Sequence, residues 1–131
     1  MLYTACILRG KKQKGVKLSV MNRHTRNDGR TPDDRITGRH FHVHCPWLAP
    51  SSRLLGDYYK RKTVSLEELL RLYELEINRF PKTLFVWGLA ILARVTDVTI
   101  MCIEETHDVC HRGVLAKECQ RRISGLTVIH R

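Results

Sequence analysis

The sequence predicts an α/β domain, a small three-layer sandwich with a mostly parallel sheet that ends in a C-terminal βαβ unit. Three observations carry that expectation. Val98 to Ile103 is a β-branched strand run, an amphipathic segment opens at Cys110-His111-Arg112, and Leu126-Thr127-Val128-Ile129 reads as a closing strand. Strand, helix and strand within about 33 residues form a βαβ unit, which is parallel and right-handed almost without exception. Leu2 to Leu8 is short, apolar and free of breakers, as a strand buried on both faces would be. With 131 residues, the chain is long enough for one domain with a single core, residues 1–131.

Taken in order, Leu2–Leu8 begins the sheet and Arg9–Gly15 is a basic turn cluster. Val16 to Val20 alternates apolar and polar at period two, the mark of a half-exposed strand. A basic-tipped β-hairpin is one solution for these segments, and a basic connection between non-adjacent strands is the other. Asn22 to Gly38 turns polar and arginine-rich and reads as a long surface loop. Arg39 to Cys45 alternates strictly, so a strand there would place His40, His42 and His44 on one face.

Trp47 to Ser52 leads into a short helix through Tyr58 and Tyr59, with serine available as its N-cap. Ser65 with Glu68 makes a capping box, and behind it Leu66, Leu69, Leu70, Tyr73, Ile77 and Phe80 form one apolar stripe. Pro81 suits the first turn of a next helix, which from Thr83 to Ala93 is apolar all round and is expected to be largely buried. Leu115, Cys119 and Ile123 line one face of the last helix, and Ser124-Gly125 stops it.

Charge narrows the partners. The chain carries 23 Lys and Arg against 13 Asp and Glu, a net charge of +10. Residues 1–44 hold a net +7 of it, so the basic N-terminal third, about 9–44, is where a polyanion would dock. Nucleic acid or a nucleotide is the partner class expected. The longest apolar run, Leu84 to Ala93, is too short for a bilayer span of about twenty residues, so no membrane partner is expected. Met1-Leu2-Tyr3 lacks the basic and apolar regions of a secretory signal, and the five cysteines at irregular spacing read as intracellular, cytoplasmic thiols. No cofactor is expected.

The chemistry is concentrated between Cys102 and Arg112. A loop after a strand's carboxyl end is where open α/β sheets keep their ligand sites. Four readings stay open, and the first, which needs the fewest assumptions, is the one expected. In the first, the N-terminus of the last helix binds phosphate or nucleic acid with Arg112, His111 and Arg39 as its cationic groups. The second is an enzyme with Cys110 as nucleophile, activated by the helix terminus, His111 and Arg112, and with Glu104 or His107 as acid–base group. The third, not favoured because Cys-x7-Cys is not the spacing of zinc modules, is a metal site drawn from Cys102, Cys110, His42 and His44, or from His107 or His111. The last is purely structural: Cys102 in the core, with a Glu104–Arg112 ion pair pinning the loop.

Met101-Cys102-Ile103-Glu104, five residues, then Cys110-His111-Arg112 and Leu115-Ala116 resembles the LLC-x-E-x5-CHR-x-x-LA signature of the prokaryotic family known as domain of unknown function 488. Leu48-Ala49-Pro50-Ser51, Leu54-Leu55 and Tyr59-Lys60, with Tyr73 further on, is similar to that family's second block. The resemblance covers residues 47–131 well. It implies an α/β fold and an intracellular protein, and it marks Cys102, Glu104, Cys110, His111 and Arg112 as motif positions. It implies no particular reaction.

Overall fold

The computed structural model describes residues 1–26 and 28–131. Its centre is a five-stranded sheet in which every pairing is parallel: β1 (Leu2–Cys6), β2 (Val16–Ser19), β3 (Val43–His44), β4 (Val98–Cys102) and β5 (Val128–His130), in the order β3-β2-β4-β1-β5. β1 and β4, the two apolar runs, are buried throughout and lie side by side with Leu2 opposite Val98 and Cys6 opposite Cys102. Because β4 separates β1 from β2, the basic cluster is not a hairpin tip. It is a connection, and its first part, Ile7–Lys12, is a 3₁₀ turn. Gly15 ends it at φ +69°, where a Cβ would stand 2.0 Å from the Asp97 carbonyl oxygen, so only glycine fits between this turn and the start of β4.

The four α-helices share one face. α1 (Ser52–Tyr59), α2 (Leu66–Ile77), α3 (Lys82–Val95) and α4 (His111–Arg122) send Leu54, Leu69, Tyr73, Ile77, Val86, Leu89, Leu115 and Cys119 into one core with Leu2, Leu18, Val98 and Ile100 of the sheet. The helix starts follow the sequence signals. Ser51 accepts a hydrogen bond from the Leu54 N–H at 3.2 Å, and Ser65 from the Glu68 N–H at 3.1 Å. A second cluster, Ala5, Ile7, Met21 and Met101, is covered by Ile36 and Phe41 of the long loop, so the third layer of the sandwich is loop and 3₁₀ turn rather than α-helix. Asn27, within the predicted loop, lies outside the described residues.

Two expectations are corrected. The alternating run Arg39–Cys45 contributes only Val43–His44 to the sheet. His40 instead turns back, its Nδ1 accepting the Thr37 N–H at 3.0 Å, while His42 Nδ1 accepts the Lys17 N–H at 3.0 Å. The three imidazoles therefore share no face, because local turn hydrogen bonds compete with the ladder for these residues. The helix α3 is also less buried than its composition suggests. Leu84, Phe85, Trp87 and Ile91 are 42–56% exposed, because α3 packs only Val86, Leu89, Ala90 and Ala93 inward.

Beside β3, His24 packs tilted against His44 with ring centroids 4.2 Å apart, and its Nε2 lies 2.6 Å from Ser19 Oγ. Burial, with His44 adding to it, lowers the His24 pKa from 6.5 to about 4. A depressed folded pKa contributes stability above the unfolded value that is lost as pH falls towards the folded one. We expect wild-type protein to lose on the order of 1 kcal/mol between pH 6.5 and about 4 from this group, discounted for its partial exposure. Urea midpoints of wild type and His24→Gln, followed by tryptophan fluorescence across that range, should converge at the acid end. Parallel curves would remove His24 as the source.

Candidate active site at the carboxyl end of β4

The site is built where β4 ends, across a loop from the start of α4. Cys102 is the last residue of β4, and Cys110 is the N-cap residue of α4. A short 3₁₀ turn, His107–Val109, joins them, and it sits so close to the helix that a Cβ on Gly113 would stand 2.4 Å from the His107 carbonyl oxygen. Glycine in the first turn of α4 thus allows the loop to fold tightly over the helix terminus and brings Cys110 back towards Cys102.

His111 is the hub. Its Nε2–H donates to the Val20 carbonyl at 2.6 Å, and Tyr73 packs edge-on against the ring at 5.2 Å. With Nε2 committed, Nδ1 faces the two sulfurs, 3.8 Å from Cys110 Sγ and 3.9 Å from Cys102 Sγ. The Cys102 thiol donates to Glu104 Oε2 at 2.8 Å, and the Tyr59 hydroxyl reaches Glu104 Oε1 at 3.4 Å. The Glu104 carboxylate is thus held by two donors, and among the described residues it forms no salt bridge.

The electrostatics separate the two thiols. Burial opposes a thiolate at Cys110, but the Cys102 thiol, the neighbouring His111 and Arg112 together outweigh it and hold Cys110 well below the usual thiol range. The helix terminus at which it sits favours the same negative charge. Burial, the hydrogen bond with Cys110 and the Glu104 carboxylate push Cys102 well above that range. His111 is raised despite burial, through the Cys110 charge. Glu104 is raised by burial and by Cys110. The shifts favour a thiolate at Cys110 and an imidazolium at His111, beside a Cys102 thiol and a Glu104 carboxyl that hold their protons more tightly than usual.

These groups floor a cavity of about 460 Å³. Its walls come from α1, with Tyr58 and Tyr59, and from the loop after β2, with Arg23 and Arg26; Lys60 stands at the rim with those arginines. Cys102 and Cys110 are only 3% and 2% exposed, so they are reached through this cavity rather than from the outer surface.

The sequence-predicted residues divide. Cys102, Glu104, Cys110 and His111 come together in the cavity. Arg112 does not reach it. Fully buried, it donates from Nη1 to the Glu104 carbonyl at 2.7 Å and from Nη2 to the Glu105 carbonyl at 3.2 Å. It pins the loop by its backbone, and no ion pair with the Glu104 carboxylate forms. Arg39 lies in the turn before β3, its N–H bonded to Thr37 Oγ1, away from the cavity lining. His107 stacks on His130 at 3.4 Å instead of facing Cys110. Among the described residues, Cys102, Cys110 and His111 form the group whose donor atoms approach within 4.8 Å of one another, as a shared ion would require; His42 and His44 are not part of it.

Sequence reasoning missed Arg23, Arg26 and the Val20 carbonyl as parts of the site. The second sequence block explains itself here. Tyr73 donates to the Leu48 carbonyl at 2.5 Å, Ser51 Oγ bonds Glu76 at 2.5 Å, and Lys82 Nζ donates to the Ala49 carbonyl at 2.9 Å. That block ties α1 to α2 and α3 so that Tyr59 meets Glu104, the point at which the two blocks converge. No curated protein and no solved structure matches this chain. The model of DUF488-N3a, described as the active DUF488-N3 subclade, matches residues 4–122, and the chain belongs to the DUF488 family.

Proposed function

We propose that this protein is a cysteine-dependent enzyme acting on a nucleotide or nucleic acid, with Cys110 as the nucleophile. One observation carries the proposal: the Cys110 sulfur stands at the N-terminus of α4 beside His111 Nδ1, at the floor of a cavity large enough for a small ligand. The negative charge that a helix terminus favours is here supplied by the thiolate itself, which argues against that terminus being kept for a substrate phosphate. His111 holds the thiolate's counter-charge and has a proton at Nδ1 to give. Glu104, its carboxyl raised by burial, is placed to take a proton from, or return one to, the reacting group. Substrate phosphate would be met by Arg23, Arg26 and Lys60 at the rim, and an aromatic base by the Tyr58 and Tyr59 rings. The description of the matching subclade as active agrees with an enzyme.

Simple binding of phosphate or nucleic acid uses the same rim and leaves Cys110 idle, so one experiment separates the two. Mononucleotides carrying a fluorescent ribose label are titrated against wild type, Cys110→Ser and Arg23→Glu/Arg26→Glu, and the mixtures are then analysed by intact mass and chromatography. We expect Cys110→Ser to bind as wild type does and to lose both adduct and product. The double charge reversal should weaken binding about tenfold or more, with an affinity that falls as salt rises. Binding without any Cys110-dependent product, from mononucleotides through short RNA and DNA, would leave a binding protein. Binding indifferent to Arg23 and Arg26 would place the anion elsewhere.

A further inference from the structure

One nucleophile does not need a second thiol, yet Cys102 stands inside the same cavity with its proton retained. Its sulfur belongs, with Cys110 Sγ and a His111 ring nitrogen, to a group of atoms all within 4.8 Å of one another, and its own proton is donated to Glu104 Oε2 at 2.8 Å. A disulfide needs about 2.05 Å between sulfurs, so the two thiols, at a strand end and a helix N-cap, have a gap of no more than about 3 Å to close. We propose that Cys102 is the resolving thiol of Cys110, so that a small hydroperoxide converts the pair into a reversible Cys102–Cys110 disulfide. The inference rests on the reading of Cys110 as a reactive thiolate and adds a modification site to it.

The atoms balance as follows. The Cys110 thiolate attacks the terminal oxygen of the hydroperoxide R–O–O–H. An S–O bond forms, the O–O bond breaks, and the leaving alkoxide takes the His111 Nδ1 proton to become an alcohol. The sulfur is oxidised by two electrons to a sulfenic acid, which condenses with a neighbouring thiol. Cys102 passes its proton to the now neutral His111, its sulfur attacks the sulfenic sulfur, and the S–O bond breaks as an S–S bond forms. The departing hydroxide takes the proton from His111 and leaves as water. The sum is two thiols and one hydroperoxide giving a disulfide, an alcohol and water. A small dithiol reverses it by two exchange steps.

Access and neighbours favour this partner over others. Both sulfurs are nearly fully buried and open only into the cavity, so a small peroxide reaches them and another protein's thiol does not. Cys6 lies opposite Cys102 in the β1–β4 register, but its thiol is turned to the Ile103 carbonyl at 3.3 Å and it does not line the cavity. Cys45 and Cys119 are buried in the core on the helix side of the sheet.

The test treats the full chain with hydrogen peroxide, blocks remaining thiols with N-ethylmaleimide under denaturing conditions, and digests it with trypsin. Cys102 and Cys110 fall in one tryptic peptide, residues 95–112, and Cys6 in another, residues 1–9. We expect wild type to yield peptide 95–112 lighter by two hydrogens and carrying no maleimide, restored by dithiothreitol. In Cys102→Ser, Cys110 should instead gain two or three oxygens irreversibly. A wild-type Cys110 that over-oxidises like the variant, or a link through Cys6, overturns the proposal while leaving the thiolate intact. If Cys110 stays inert to peroxide in both proteins and to iodoacetamide as well, the thiolate reading itself has failed.

Discussion

At about pH 5.5, Cys110 in the native protein is expected to react with iodoacetamide roughly a hundredfold faster than the same cysteine in urea. A free thiol with a pKa near 8.5 is only about 0.1% ionised there. Cys110, held well below the thiol range by Cys102, His111 and Arg112 against the cost of burial, ionises at lower pH than that free thiol. Full ionisation alone would give about a thousandfold, and the weaker nucleophilicity of a stabilised thiolate takes back about a factor of ten. His111→Gln should remove most of this excess, since the ring that faces both sulfurs supplies the countercharge. The pH dependence has a definite sign. The thiolate is present above the lowered Cys110 pKa and lost as pH falls through it, whereas the imidazolium is present below the raised His111 pKa and lost as pH rises through it. Turnover needs both and should follow a bell between them. A native rate equal to the unfolded one, or one that His111→Gln leaves unchanged, would end the nucleophile reading. Stoichiometric zinc that blocks alkylation until it is chelated would end it differently, by making Cys102, Cys110 and His111 ligands.

How much of this could be read in the sequence depended on whether the signal was local. β1, β4 and β5 are apolar runs bounded by breakers, and α2 opens on a serine cap with its stripe behind it, so each states its own structure. The CHR motif is local too: a thiol one residue ahead of an imidazole at a helix start must lie at the positive end of that helix. What escaped was set by distant partners. The alternation at Arg39–Cys45 fits a strand as well as it fits a turn in which His40 folds onto Thr37, and only the neighbouring β2 decides how far the ladder runs. Hydropathy predicts a buried α3 because it records what a helix could bury and not what is there to cover it. Arg23 and Arg26 looked like part of a diffuse basic surface, and a backbone carbonyl such as that of Val20 leaves no trace in a side-chain pattern. Tyr59 and Glu104 are 45 positions apart and meet at 3.4 Å because the LAPS segment fixes α1 against α2.

Arg112→Ala is expected to be the most destabilising single change near the site, by about 3 kcal/mol or more. A cation in the first turn of a helix is unfavourable to the helix dipole, so Arg112 is not there to serve α4. Its planar fork satisfies the Glu104 and Glu105 carbonyls at once while the side chain is fully buried. Hydrogen bonds from a charged donor each contribute about 1.5–3 kcal/mol, and truncation also leaves a void and two acceptors without partners. For a domain of this size the melting temperature should fall by about 10 °C. Arg112→Lys keeps one bond at most and is expected to lose roughly half as much, because an ammonium cannot span both carbonyls. In the lysine variant, labelled mononucleotide should bind as to wild type, since the guanidinium does not line the cavity, while Cys110 alkylation at about pH 5.5 should slow by less than tenfold, Arg112 being the weakest of the groups that favour the thiolate. An Arg112→Lys protein that melts as wild type does and yet binds nucleotide tenfold more weakly would reverse the assignment. It would return Arg112 to the anion and leave the loop to be held by something else.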